Sequence, residues 1–321
     1  MIERPRRNRR SDSIRKMLQE TQLKPSQLVL PLFIKEGSKV REEISAIPGS
    51  FRLSIDEAFR EAELASERGI LGLALFPVIP DPKKDPRATE SRNPQGLAPE
   101  AIRKLKERFP QLTLFADVAM DPYSSDGHDG LVLDGRVVND ETLPILCEQA
   151  LCLAQAGADY VAPSDMMDGR VQSIRTHLDA HGRSETGILS YTAKYASCLY
   201  GPFRQALDSA PRFGDKKTYQ MDPSNRTEAL REARLDLQEG ADILMVKPAL
   251  SYLDIISDLA QGCDVPIAAY QVSGEFAMMH AAARQGWVDL PRAMRESLIS
   301  IRRAGAQLIF TYAALHFKEE A

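Results

Sequence analysis

Two lysines stand out by what surrounds them. Lys247 closes a dense apolar run, Asp242-Ile243-Leu244-Met245-Val246-Lys247-Pro248, and Lys194 follows Gly187-Ile188-Leu189-Ser190-Tyr191 within Thr192-Ala193-Lys194-Tyr195, which reads as a turn. An amine delivered to the end of a buried strand is poorly solvated. Desolvation disfavours the ammonium, lowers its pKa and leaves a neutral amine able to attack a carbonyl. A neighbouring cation acts in the same direction, so the pair should hold at least one amine neutral. Two amine nucleophiles at two strand ends point to Schiff-base chemistry. The competing reading is a lysine that ends a strand merely to reach water, because nucleophilic lysines need a special desolvated setting.

The elements that would position these lysines alternate along the chain. Apolar strand-like runs fall at 28–34, 71–76, 112–117, 160–163, 188–191, 243–246, 267–270 and 308–311. Helical patterns separate them, from Ser54 to about Arg68 and over 141–156, 226–239 and 291–304. Ser54 with Glu57 reads as a capping box, and Gly69, Gly157, Gly240 and Gly305 as helix stops. Nearly continuous apolar strands imply burial on both faces, hence a parallel sheet, and eight strand-helix units favour a closed (β/α)8 barrel of the TIM type over an open sheet. Residues 26–321 are expected to form one barrel and residues 1–25 an arm outside it, with Ile14, Met17 and Leu18 on one potential helical face. In such a barrel chemistry sits at the carboxyl ends of the strands. Lys194, Lys247, Asp117, Ser164, Asp165, Ser273 and Tyr312 all fall at or just after strand ends.

Composition narrows the class. The 321 residues, 43% hydrophobic and with a net charge of −4, suit an enzyme-sized globular chain with a full core. No run approaches the ~20 apolar residues that span a bilayer. The amino terminus, with Arg4, Arg6, Arg7, Arg9 and Arg10, has no following apolar segment, so a cytoplasmic location is expected. Cys147, Cys152, Cys198 and Cys263 show neither a disulfide framework nor a thiolate zinc spacing. The mildly acidic chain, lacking an aromatic-interleaved basic surface, argues against nucleic acid as a partner.

The motifs carry a more specific signal. Met245-Val246-Lys247-Pro248, Ala193-Lys194-Tyr195-Ala196-Ser197, Tyr270-Gln271-Val272-Ser273-Gly274-Glu275, the segment from Ala162 to Arg170 and Arg4-Pro5-Arg6-Arg7 together resemble the porphobilinogen synthase, or 5-aminolevulinate dehydratase, family over essentially the whole chain. The resemblance implies condensation of two molecules of 5-aminolevulinate, with loss of two waters, to porphobilinogen, an early step toward haem and other tetrapyrroles. Two ketone substrates account for two lysines, Lys247 for the first-bound substrate and Lys194 for the second. The resemblance also implies Ser273 and Tyr312 as the hydroxyl pair for the first carboxylate. Arg204 and Lys216, with Gln220 in support, would hold the second. Arg204 and Lys216 lie in a long segment, 195–226, with little helical periodicity, expected to act as a lid. Asp117 could orient a substrate amino group, shuttle a proton or simply cap the strand.

Metal use is where the chain departs from many family members. Ala119, Asp121 and Asp129 stand where those carry a three-cysteine zinc site, so no catalytic zinc is expected, and Asp121 with Asp129 offers oxygen ligands for magnesium or a monovalent ion, or else a solvated loop. Glu232 matches a glutamate that binds an allosteric magnesium in the family. The resemblance further implies a homo-octamer, with the arm embracing a neighbouring subunit. No organic cofactor is expected. Two other readings stay open on the residues alone: a lysine-dependent aldolase, disfavoured by the second lysine and the lack of a phosphate loop, and a non-catalytic barrel that binds a small acid.

Overall fold

A computed structural model of the chain describes residues 1–317; residues 318–321 of the expected barrel segment lie outside them. Eight parallel strands follow one another around a closed sheet: β1 (Leu28–Lys35), β2 (Gly72–Val78), β3 (Thr113–Val118), β4 (Tyr160–Pro163), β5 (Gly187–Lys194), β6 (Ile243–Lys247), β7 (Ile267–Gln271) and β8 (Leu308–Thr311). Closure is direct, since β1 pairs with β2 on one side and, at Leu28–Ile309 and Val29–Phe310, with β8 on the other. The fold is the expected (β/α)8 barrel.

Burial explains the strand pattern. Every residue of β6 and β7 is buried, and β5 is buried throughout except at Gly187. Each fully buried Val, Leu, Ile or Phe contributes ~1.5–3 kcal/mol relative to exposure, so a strand polar on one face could not take these positions. The helices bury single stripes: Ala58, Ala62 and Ala65 in the helix Ile55–Glu67, and Met294, Ser297, Leu298 and Ile301 in Leu290–Ala304. Glycine ends several of them for a steric reason. Gly157, Gly240 and Gly305 have φ of 105°, 101° and 123°, and a Cβ on Gly305 would lie 2.3 Å from that of Ala260.

Three local expectations need correction. Ser54 precedes the helix Ile55–Glu67 but forms no capping box; its hydroxyl instead accepts the Val40 N–H at 2.9 Å and bonds the Asp56 carboxylate. Lys194 is not in a turn: β5 runs on to it because Ala193 pairs with Val246 and Lys194 with Lys247 across the ladder. The segment after β5 is not loop throughout, since Gly201–Leu207 forms a short helix.

Two additions lie outside the barrel. A hairpin of Arg41–Glu43 and Phe51–Leu53 extends the sheet beside β1. The first residues form the short helices Pro5–Arg9 and Asp12–Met17, no residue before Leu23 is buried, and Met1, Ile2, Met17 and Leu18 are exposed. Among the described residues no helix is long and apolar enough to cross a membrane.

Candidate active site

The ladder between β5 and β6 places the two lysines side by side. Lys194 and Lys247 are register partners at the carboxyl ends of adjacent strands, with 6% and 5% of their surfaces exposed. Their surroundings differ. Lys247 Nζ faces four rings, Tyr270 at 4.5 Å, Tyr191 and Phe203 at 4.9 Å and Tyr200 at 5.4 Å from the centroids. Aromatic faces attract a cation, yet burial outweighs them here. Desolvation first, and the Lys194 charge second, bring the Lys247 amine down to about 7. Lys194 Nζ, in contrast, donates to the Ser164 carbonyl and lies 3.5 Å from Asp129 Oδ1.

Both lysines open into one cavity lined also by Asp117, Asp121, Asp129, Arg204, Lys216, Gln220, Ser164 and the rings of Phe76, Tyr200 and Phe203. Only about 30 Å³ of it is open to the centre of a water-sized sphere, room for a water or two. Asp117 sits at its base, where burial pushes the carboxyl up to about 7, Asp121 adds to the effect and the lysines oppose it. Its Oδ1 is buried without a hydrogen-bond partner.

Lys216 is already paired with two carboxylates of the cavity. Lys216 Nζ lies 3.1 Å from Asp121 and 3.0 Å from Asp129. Burial would raise the Asp129 carboxyl, but Lys194 and Lys216 outweigh it and hold the group well below the usual carboxylate range. The same carboxylates raise Lys216 against its own desolvation. These side chains do not fit a bound magnesium in this arrangement, because the Lys216 ammonium stands between the two carboxylates and Ala119 offers no donor. Glu232 fits one better. It is half-buried on the helix Thr227–Gln238, and desolvation, with Asp236, Asp168 and Glu228 nearby, drives its carboxyl up to about 7 against the pull of Arg170. A largely hydrated divalent ion would relieve that crowding with one or two carboxylates. Among the described residues there is no cluster of three or more metal-ligating side chains.

Ser273 and Tyr312 stand one layer back from the cavity. The Ser273 hydroxyl accepts the Phe203 N–H at 2.9 Å, and Tyr312 hydrogen-bonds Tyr270 at 3.2 Å. Neither residue lines the cavity, whereas their partner Phe203 does. Several participants were not singled out from the sequence: Tyr191, Tyr200, Phe203 and Tyr270 around Lys247, and the buried His128. The His128 Nε2 faces the Phe213 carbonyl at 3.1 Å and must donate to it, leaving Nδ1 to accept from the Tyr219 hydroxyl at 3.0 Å. The segment 201–220 is thereby docked over the cavity. Its approach is close, since a Cβ on Gly127 (φ 68°) would lie 2.2 Å from the Ala210 carbonyl oxygen.

A family model described as delta-aminolevulinic acid dehydratase matches residues 2–320. The chain belongs to this family. It is 55% identical over 321 residues to the chloroplastic delta-aminolevulinic acid dehydratase of Physcomitrium patens, covering 98% of this chain and 73% of that one. It is 51% identical over 311 residues to the enzyme of that name from Chlamydia pneumoniae, with 97% and 94% covered. The crystal structure of the Toxoplasma gondii dehydratase in complex with porphobilinogen superposes with a TM-score of 0.96 at 51% identity, covering 98% and 90%. These names overturn the expected cytoplasmic location. The Physcomitrium relative and further plant relatives are named chloroplastic, and the Chlamydia relative is named without a location.

Proposed function

We propose that the chain condenses two molecules of 5-aminolevulinate into porphobilinogen through Schiff bases on Lys247 and Lys194. The observation that carries this reading is the neutral-leaning Lys247 amine beside Lys194 at the mouth of one barrel. The neutral amine attacks the ketone of the first substrate, and the carbinolamine loses water to give an iminium ion that acidifies the adjacent carbon. Lys194 treats the second ketone in the same way. Asp117, with its carboxyl near 7, can take and return protons around neutrality. Over the whole reaction two substrates yield one pyrrole and two waters.

Each substrate carboxylate needs a partner. Arg204 and Lys216, with Gln220, would hold the second; Lys216 then exchanges its contact with Asp121 for the substrate, while Arg204 can grip the carboxylate with two parallel bonds. Ser273 and Tyr312 would hold the first. A hydroxyl accepts and donates at once, so Ser273 can keep the Phe203 N–H while donating to a carboxylate. The cavity is too small for two substrates as it stands, so the segment over it must open for entry and close to exclude water from the iminium ions.

Glu232 would hold a magnesium ion that neutralises the acidic face of its helix and supports subunit contacts. The aspartate-bearing loop is read as a variant without catalytic zinc. The exposed apolar residues of the arm favour packing on a second copy, within a homo-octamer. The direct test is porphobilinogen formation from 5-aminolevulinate by colour assay in the unmodified protein and in Lys247→Met. Product from the first and none from the second supports the reading, whereas no product from either under varied magnesium and potassium would favour a non-catalytic barrel.

A further inference from the structure

The hairpin beside β1 reaches the segment that carries Arg204. Its strand Phe51–Leu53 pairs in parallel with β1, with Arg52 opposite Phe33, and in antiparallel with Arg41–Glu43, with Arg52 opposite Glu42. From there the Arg52 guanidinium crosses to the carboxyl end of the helix Gly201–Leu207. Nε donates to the Ala206 carbonyl at 2.7 Å and Nη2 to the Gln205 carbonyl at 2.8 Å, while Nη1 pairs with Glu42. Glu42 is in turn paired with Lys35 at the end of β1. The last carbonyls of a helix lack intrahelical donors, so a forked cation is well matched to them. The other end of the same helix is held by the Ser273 hydroxyl, which accepts the Phe203 N–H, and the Phe203 ring packs on Phe76 at 5.2 Å and Phe33 at 5.7 Å. Arg204 lies between the two anchors.

We infer that Arg52 is a positioning residue for the reaction: it fixes the helix Gly201–Leu207 over the cavity and so sets Arg204 for the carboxylate of the second substrate. This rests on the proposed function and deepens it. Arg52 itself lies outside the cavity lining. Its role is to lower the cost of ordering the lid when substrate binds, which is a term in affinity more than in chemistry. The first substrate, on Lys247, does not depend on Arg204.

The test combines steady-state kinetics, thermal melting and cyanoborohydride trapping in Arg52→Ala and Arg52→Lys. Loss of two charge-assisted hydrogen bonds should raise KM about tenfold, with kcat at saturation within about twofold. At subsaturating 5-aminolevulinate the Lys194 adduct should fall while the Lys247 adduct stays at its unmodified level. Arg52→Lys keeps the charge but cannot fork across two carbonyls, so it should lie between the two; it also carries the test if Arg52→Ala does not fold. An unchanged KM, or a parallel fall of both adducts with the melting temperature, would show that Arg52 only supports the fold. Absence of a Lys247 adduct in the unmodified protein would instead count against the Schiff-base reading itself.

Discussion

Replacing Lys194 by methionine should raise the pKa of the Lys247 amine. The two are register partners on neighbouring strands, and such strands lie about 4.8 Å apart. Two unit charges ~5 Å apart repel by ~3 kcal/mol at an effective dielectric of ~20, about two pK units. Asp129, 3.5 Å from Lys194 Nζ, acts on Lys247 before and after the substitution and drops out of the difference, so the expected shift stays at about two units. Burial is the larger cause of the depression and survives the substitution, so Lys247 should remain below its ordinary value. Methionine keeps the stem and removes the charge. The assay is cyanoborohydride trapping of the first substrate on Lys247 as a function of pH, read by mass spectrometry and independent of product formation. Adduct should rise around pH 7 in the unmodified protein and about two units higher in Lys194→Met. The midpoint is an apparent value of the coupled set that includes Asp117. A midpoint that stays put or moves to lower pH would refute the depression of Lys247 by the Lys194 charge.

Other outcomes follow from the same geometry. Because the folded pKa of Lys247 lies below its unfolded value, its burial costs stability in full below about pH 7, and the cost fades as pH rises toward the unfolded pKa. Lys247→Met should therefore stabilise the protein by about 5 kcal/mol at pH 6, seen as a higher Tm, and much less near pH 10; calorimetry showing a lower Tm at pH 6 would contradict this. Gly127→Ala should undock the lid segment through contact with the Ala210 carbonyl, seen as faster proteolytic cleavage within 201–217 and a higher KM; unchanged cleavage would speak against that contact. Glu232→Gln should abolish a magnesium-dependent change in sedimentation without preventing the Lys247 adduct; a retained magnesium response would place the ion elsewhere.

The barrel was legible because its strands are buried on both faces and so read as continuous apolar runs, with glycine stops returning several of the helices to the sheet. The lysine pair was legible as two neighbouring strand ends, but the direct Lys194–Lys247 register was not, because it comes from pairing between β5 and β6. The pairing of Lys216 with Asp121 and Asp129 joins segments far apart in the chain and leaves no periodic trace. Nor did the box around Lys247, since Tyr191, Tyr200, Phe203 and Tyr270 are contributed by β5, β7 and the lid, and each alone resembles a core aromatic. Ser54 shows the limit of a local motif: the capping-box spacing is present, but the Val40 N–H and the Asp56 carboxylate take the hydroxyl.

The central claim is that both lysines become covalently linked to substrate in one active site. Incubation with isotopically labelled 5-aminolevulinate, reduction and peptide mapping test it most directly. The account predicts reduced adducts on the peptides containing Lys247 and Lys194, with Lys247 modified first at low substrate and still modified in Lys194→Met. Adduct on neither lysine while porphobilinogen is still formed would contradict it.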